Sequence, residues 1–357
     1  MQSIHQFTAG LNKVDAITSE AFAMRNIFRS WGHKSEIFSE SKRISPKLRS
    51  ETFDIQESLG DLKNSENIAI LHLSIGSPVN KFFMSLECKK VILYHNITPS
   101  SYFKYINKKT LHDLEIGSAQ LKMLVNAADI NMADSKFNAD ELEKLGYQNV
   151  KVLPLILDFK KLCSEPDPAT MKRWKDGKVN ILFVGRCVPN KKIEDVLSAF
   201  SYFNKFIEPN SRFIHIGSHA GTEKYFNLLT AQVKNIENIY FAPSVSQPQL
   251  NAFYKCADIF LCMSEHEGFC IPVIESMYHN VPVMAYAAAA VPETMDGAGI
   301  LFHEKKFDMI AEMMGKLTKD IAFKNAVLKK QQERINRFKQ RDLETELKQH
   351  LKPLLEV

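Results

Sequence analysis

The chain has 357 residues and 40.7 kDa, with 45% hydrophobic and 24% charged residues and a formal net charge of +5. That is room for roughly two domains, each burying its own core, and it excludes disordered, collagen-like and disulfide-scaffold classes. No apolar run approaches the roughly 18–20 residues of a membrane-crossing helix, and the opening MQSIHQFTAG lacks the basic and apolar regions of a secretory signal, so the expected address is the cytosol.

In chain order, strands are predicted at 3–7, 36–39, 68–73, 90–95, 130–133 and 150–155, with helices at 15–31 and 110–125 between them. The strands are rich in Val, Ile and Phe and nearly continuous rather than alternating, as a parallel sheet covered on both faces requires. The polar stretch 158–178, with Pro166 and Pro168, then reads as an interdomain connection. A second series follows, with strands at 179–184, 212–216, 238–241, 258–263, 281–285 and 299–302 and helices at 191–203, 221–233, 247–256 and 271–279. Ser246-Gln247-Pro248-Gln249 has the form of a capping box with proline in the first turn. From 307 the pattern is helical only. The class is α/β with two doubly wound halves, in which ligands belong at the carboxyl ends of the strands.

Six cysteines (Cys88, Cys163, Cys187, Cys256, Cys262, Cys270) include no CxxC pair, which argues against zinc and disulfide frameworks. The chain has no GxGxxG and no GxxxxGK[ST], so neither a nicotinamide crossover nor a P-loop is supported. No acidic D-x-D stretch is placed to carry a divalent ion, and neither a metal nor a cofactor is expected.

The most informative stretch is SEHEGFCIPVIE, residues 264–275. A buried strand runs into a loop holding Gly268, and Pro272 sits where a first helical turn accepts it. The amides of Gly268, Phe269 and Cys270 then precede a helix N-terminus, which suits a phosphate or diphosphate. Glu267 and Glu275 stand eight positions apart, so one carboxylate can meet the reacting end of a ligand while the other holds its far end. Solvated loop and helix charges are the plainer reading of those glutamates taken alone.

SEHEGFCIPVIESM, followed by VPVMAY and VPETMDGAGILF, resembles the signature of family 4 retaining glycosyltransferases of the GT-B fold: S-x-x-E-G-F-x-x-P-x-x-E-A-M, then G-x-P-V and P-E. VGRCVPNKK resembles that family's V-G-R-x-x-x-x-K-G, and YHNITP resembles a subset making bacterial O-antigen and capsule polysaccharides, mannosyltransferases among them. The resemblance runs from HQF near the N-terminus to Phe302. It implies two Rossmann-like domains facing a cleft: an acceptor domain at 1–157, a linker at 158–178, a donor domain at 179–340 and a helix at 341–357 free to return to the first domain.

Carried over by position, the resemblance implies that Glu275 holds ribose hydroxyls of a nucleotide-sugar donor and Glu267 contacts the sugar. Gly268, Phe269 and Cys270 would hold the diphosphate or sugar through their amides, and Arg186 and Lys191 would neutralise the leaving diphosphate. Lys192 stands where the family has glycine, which leaves open whether Lys191 or Lys192 reaches the phosphate. His95 would lie beside the anomeric carbon, while a histidine satisfied by backbone at a strand end is the plainer reading. His72 and His5 are expected to pack within strands or at their ends. Gly10 would let the backbone approach donor and acceptor, and Ala289 stands where relatives often have glycine.

The implied reaction transfers a hexose with retention, by departure of the phosphate and attack on the same face, to a saccharide or lipid-linked saccharide acceptor. GDP-mannose is the favoured donor, with UDP-sugars open and nucleic acid not a partner. The other class of reading is a catalytically silent nucleotide-sugar-binding subunit or scaffold of a polysaccharide assembly complex. Lys42, Arg43, Lys47 and Arg49, and Phe103, Lys104, Lys108 and Lys109, are basic and aromatic clusters suited to an anionic inner-membrane surface or to a solvated loop.

Overall fold

The computed structural model describes residues 2–12, 15–58, 60 and 63–355. They form two compact units: Met1–Ser101 with Lys108–Leu157 and Asp342–Val357, and Tyr102–Asn107 with Asp158–Arg341.

The first unit is a seven-stranded sheet of β1 (Ile4–Thr8), β2 (Ile37–Ser39), β3 (Phe53–Asp54), β4 (Ile68–Leu73), β5 (Lys89–Tyr94), β6 (Ile130–Ala133) and β7 (Lys151–Val152), in the order β3-β2-β1-β4-β5-β6-β7. All pairings are parallel, with Ile4 beside Ile68 and Ile70 beside Val91. Every residue of β1 and β4 is buried, which explains their continuous apolar sequences. Between the strands lie α1 (Ala16–Ser30), α2 (Pro78–Met84), α3 (Lys108–Met123) and α4 (Lys136–Lys144). Three of them begin at a side-chain cap: Asp15, Ser77 and Ser135 accept from the amides of Thr18, Val79 and Asn138. The predicted strand at 150–155 pairs over two residues only, Lys151 and Val152 at the edge of the sheet, because its partner β6 ends at Ala133.

The second unit opens where a connection was expected. Its polar stretch carries α5 (Phe159–Leu162) and α6 (Pro168–Trp174), capped by Asp158 and Asp167. Trp174 is 6% exposed and lies 4.7 Å from the Tyr240 ring and 5.5 Å from that of Phe253. Asn251 Nδ2 donates to the carbonyls of Lys161, at 3.1 Å, and Ser164, at 2.9 Å. One tryptophan and backbone hydrogen bonds fasten this stretch, and neither shows in an apolar count.

The sheet of this unit has six strands, β8 (Val179–Val184), β9 (Ser211–Ile216), β10 (Ile239–Ala242), β11 (Ile259–Cys262), β12 (Val283–Tyr286) and β13 (Ile300–Phe302), all parallel, in the order β10-β9-β8-β11-β12-β13. Around it pack α7 (Ile193–Tyr202), α8 (Glu223–Gln232), α9 (Gln247–Cys256), α10 (Ile271–Tyr278), α11 (Val291–Met295), α12 (Phe307–Lys319) and α13 (Ile321–Lys339). The capping box of α9 is present, with the Gln249 side chain accepting from the Ser246 amide at 3.1 Å. After α13 the chain joins the first unit as α14 (Leu343–Leu351), whose Leu347 and Leu351, with Leu354, enter the core of Ile4, Phe28, Ile68 and Val91.

Candidate functional site

Strand order reverses between β8 and β11, so the loops leaving these neighbouring strands meet at the switch point of the sheet, where open α/β sheets bind ligands. The first loop holds Arg186, Lys191 and Lys192, and the second runs from Met263 to Cys270. Asn190 fastens one to the other: its carbonyl accepts from the Glu265 amide and its Nδ2 donates to the His266 carbonyl, both at 2.9 Å. On the other side the Glu267 carbonyl accepts from the Ala290 amide at 3.3 Å, and the Thr294 hydroxyl donates to the Phe269 carbonyl.

Within this frame Lys191 Nζ lies 2.5 Å from Glu267 Oε2, and the Glu267 residue is 8% exposed. Burial alone would lower the Lys191 pKa, but the Glu267 carboxylate overrides it and holds the ammonium above its ordinary value. Arg186 is exposed and pairs with no acid among the described residues. Lys192 turns away toward Glu194, at 3.4 Å, and Glu265, at 3.8 Å. Glu265 also accepts from Lys305 at 2.7 Å and from the Tyr102 hydroxyl at 3.1 Å.

The amides of Gly268, Phe269 and Cys270 make no hydrogen bond among the described residues, and they stand directly before the first turn of α10. Cys270 is left-handed, at φ 73°. Its thiol lies beside that of Cys262, and the two sulfurs and the Glu267 carboxylate all fall within 4.8 Å of one another. On α10 the Glu275 carboxylate accepts from the fully buried Tyr254 hydroxyl at 2.7 Å. Burial raises the Glu275 pKa, and the Tyr254 hydrogen bond offsets part of that rise.

Lys192 and Ala289, the two places where glycine was expected, both have positive φ, 51° and 52°. The backbone there has the form that favours glycine, and this chain adopts it with side chains present.

In the first unit, Gly10 follows β1 in ordinary backbone geometry; a Cβ there would lie 3.4 Å from the Arg43 carbonyl oxygen, a normal contact. His95 follows β5, and its side chain is 2% exposed. Its Nε2 lies 2.9 Å from His72 Nδ1 and 3.6 Å from Glu20 Oε2, and its Nδ1 lies 3.5 Å from Asp134 Oδ2. Burial pulls the His95 pKa down, but Asp134 and Glu20 override it and hold it above the ordinary value. Burial and the neighbouring His95 push that of His72 well down. His72 therefore accepts from His95 and passes its other ring N–H to Gln6 Oε1 at 2.9 Å.

Sequence reasoning missed Glu20, Asp134, Tyr254 and Asn190. Glu20, Asp134 and Tyr254 lie in predicted helices or loops with no motif around them, Asn190 falls on an unspecified position of VGRCVPNKK, and their roles appear only once the strands are ordered. His72 alone carried a signal, a histidine in an otherwise apolar strand, and it does pack within β4.

Residues 170–341 match the family described as "Glycosyl transferases group 1". The chain is 24% identical over 227 residues to an uncharacterized 41.2 kDa protein in the cps region of Klebsiella pneumoniae, a match covering 61% of this chain and 50% of that protein. It is 26% identical over 135 residues to O-antigen chain mannosyltransferase B of Escherichia coli, covering 36% and 34%. The chain thus spans half or less of the length of these curated relatives. Among solved structures, sucrose-phosphate synthase from Thermosynechococcus elongatus superposes with a TM-score of 0.75 at 14% identity over 99% of both chains. HepE of Anabaena, solved with UDP and glucose, superposes with 0.73, also at 14% identity over 99% of both chains. The architecture is the GT-B fold, and the match to glycosyl transferases group 1 falls on residues 170–341, within the second unit.

Proposed function

We propose that the protein is a retaining glycosyltransferase that moves a hexose from a nucleotide-diphosphate sugar, GDP-mannose first and UDP-sugars second, to a lipid-linked saccharide acceptor in bacterial surface polysaccharide assembly. The observation that carries the reading is the set of unengaged amides at 268–270 before α10, with Arg186 and Lys191 on the neighbouring loop. Dipoles and cations fixed in place act where the charge of a departing diphosphate develops. Similarity to a mannosyltransferase of O-antigen chains supports the sugar and the pathway class, and UDP in HepE keeps the second donor class open.

In this mechanism Glu275 accepts hydroxyls of the ribose and Glu267 those of the hexose. Lys191 leaves Glu267 in part to meet the diphosphate, beside Arg186. As the glycosidic oxygen departs, the phosphate takes the proton of the acceptor hydroxyl, which attacks the same face, so no protein nucleophile is required. Gly10 contributes close backbone approach, and His95, oriented by Asp134 and Glu20, stands beside the sugar. The acceptor would be reached at an anionic membrane surface through exposed Lys104, Lys108 and Lys109, whereas Phe103, read with them in the sequence, is buried and offers no aromatic contact. No helix among the described residues is long and apolar enough to cross a membrane.

The test is a thermal-shift and turnover panel of GDP- and UDP-sugars, with product anomericity read by NMR. An α-donor giving an α-product is expected, with Arg186→Ala slowing turnover about 10²-fold. Absence of both binding and slow donor hydrolysis across the panel, or an inverted product, sinks the reading. Flotation on anionic against neutral liposomes tests the membrane contact, and equal recovery on both would refute it.

A further inference from the structure

We propose that Cys262, Cys270 and Glu267 form a site for a thiophilic divalent cation of the zinc class, and that the ion opposes nucleotide-sugar binding. The site is argued from side-chain chemistry alone; only its inhibitory effect rests on the proposed function.

Cys262 ends β11 and Cys270 caps α10, and the fold brings their sulfurs and a Glu267 carboxylate oxygen within 4.8 Å of one another. Zinc bound at about 2.3 Å from sulfur and about 2.0 Å from oxygen sets tetrahedral ligands roughly 3.3–3.8 Å apart, so a small contraction closes the set. Two thiolates and a carboxylate select zinc-class ions over magnesium or calcium, which prefer oxygen alone. The three residues are 1%, 6% and 8% exposed, which keeps competing water away. Ser264 Oγ, 3.3 Å from Cys262 Sγ and also buried, stands by as a fourth neighbour.

The Glu267 carboxylate is paired with the Lys191 ammonium at 2.5 Å, a charge the ion must displace. Cys270 occupies a left-handed backbone that glycine would hold without strain, so the thiol is kept at a conformational cost. Binding releases the two thiol protons and displaces Lys191 from Glu267. The ion then occupies the carboxylate assigned to the hexose and ties down the loop whose amides face the diphosphate.

The full chain, reduced and carrying Cys163→Ser to remove the exposed thiol, would be titrated with cobalt(II) as a spectroscopic stand-in. Expected are one ion per chain, a thiolate-to-cobalt charge-transfer band and the intense visible bands of tetrahedral cobalt, all lost on adding zinc. Cys270→Gly suits the left-handed backbone and so keeps the fold; it should weaken the ion at least 100-fold, as should Cys262→Ser. No charge-transfer band in the folded protein, or a band that survives both substitutions, overturns the site. Zinc should raise the apparent KM for donor at least 10-fold in the parent and leave Cys270→Gly unaffected. A cobalt band without that effect overturns the inhibitory part, and failure of every nucleotide sugar to bind counts against the proposed function instead.

Discussion

At the scale of single residues, the 263–270 loop and α10 are held by pairs in which one member tunes the other. Tyr254 is such a member: its hydroxyl is the hydrogen-bond donor to Glu275 Oε2. Tyr254→Phe should raise the donor KM about 10-fold with kcat nearly unchanged, since the bond orients a group that binds ground and transition states alike. Glu275 has a folded pKa above the value near 4.3 of an unfolded chain, so it binds its proton more readily when folded. Its contribution therefore falls as pH rises through that raised pKa, and at neutral pH the ionised carboxylate costs stability. Glu275→Gln should melt about 2 °C higher than the parent at pH 7, with the gap closing toward pH 4, while donor affinity drops at least 10-fold. Equal melting at pH 7, or a gap that grows on acidification, would refute the assignment. Ala289→Gly relieves a left-handed alanine and should add about 0.5–1 kcal/mol of stability by urea denaturation, the strain released slightly exceeding the added freedom of the unfolded chain.

At the scale of elements, α3 reaches its place through two glycines. A Cβ on Gly117 would sit 2.7 Å from the Gly76 amide nitrogen and 3.1 Å from the Ile75 carbonyl carbon. Both are backbone atoms that cannot swing aside, so Gly117→Ala should cost about 2 kcal/mol, read as a lower urea midpoint at unchanged slope. The parallel strands were legible because burial on both faces leaves a continuous apolar run, as in β4 and β8. The two-residue β3 was not: Phe53 and Asp54 show no period and join the sheet only because β2 offers an edge. The strand–loop–helix was legible for a different reason, since an apolar run ends before Gly268 and Pro272 fits a first helical turn, whereas the paired glutamates drew their meaning from that context and from the family resemblance. What the sequence could not display was adjacency. Asn190 joining two loops, and His72 against His95 across neighbouring strands, follow from strand order, which no local pattern encodes.

At the scale of the whole molecule, the first unit completes its core with residues remote in sequence. Removing residues 342–357 takes Leu347, Leu351 and Leu354 from the first core, at about 2–5 kcal/mol for each buried leucine, comparable with the total stability of a typical domain. It also removes the Trp31 bond to Glu344 at 2.8 Å. Hydrogen exchange on a chain ending at Arg341 should show protection lost in β1, β4 and β5 and kept in β8 and β11; uniform protection would refute this dependence. The position of α14 also sets an order of events during synthesis. Domains ordinarily fold as they leave the ribosome, amino end first. Here strands of the first unit wait for leucines translated only after the whole of the second unit, so the second unit matures first, and a chain stopped between the two carries a finished second unit beside an unfinished first, a natural target for chaperones and proteases.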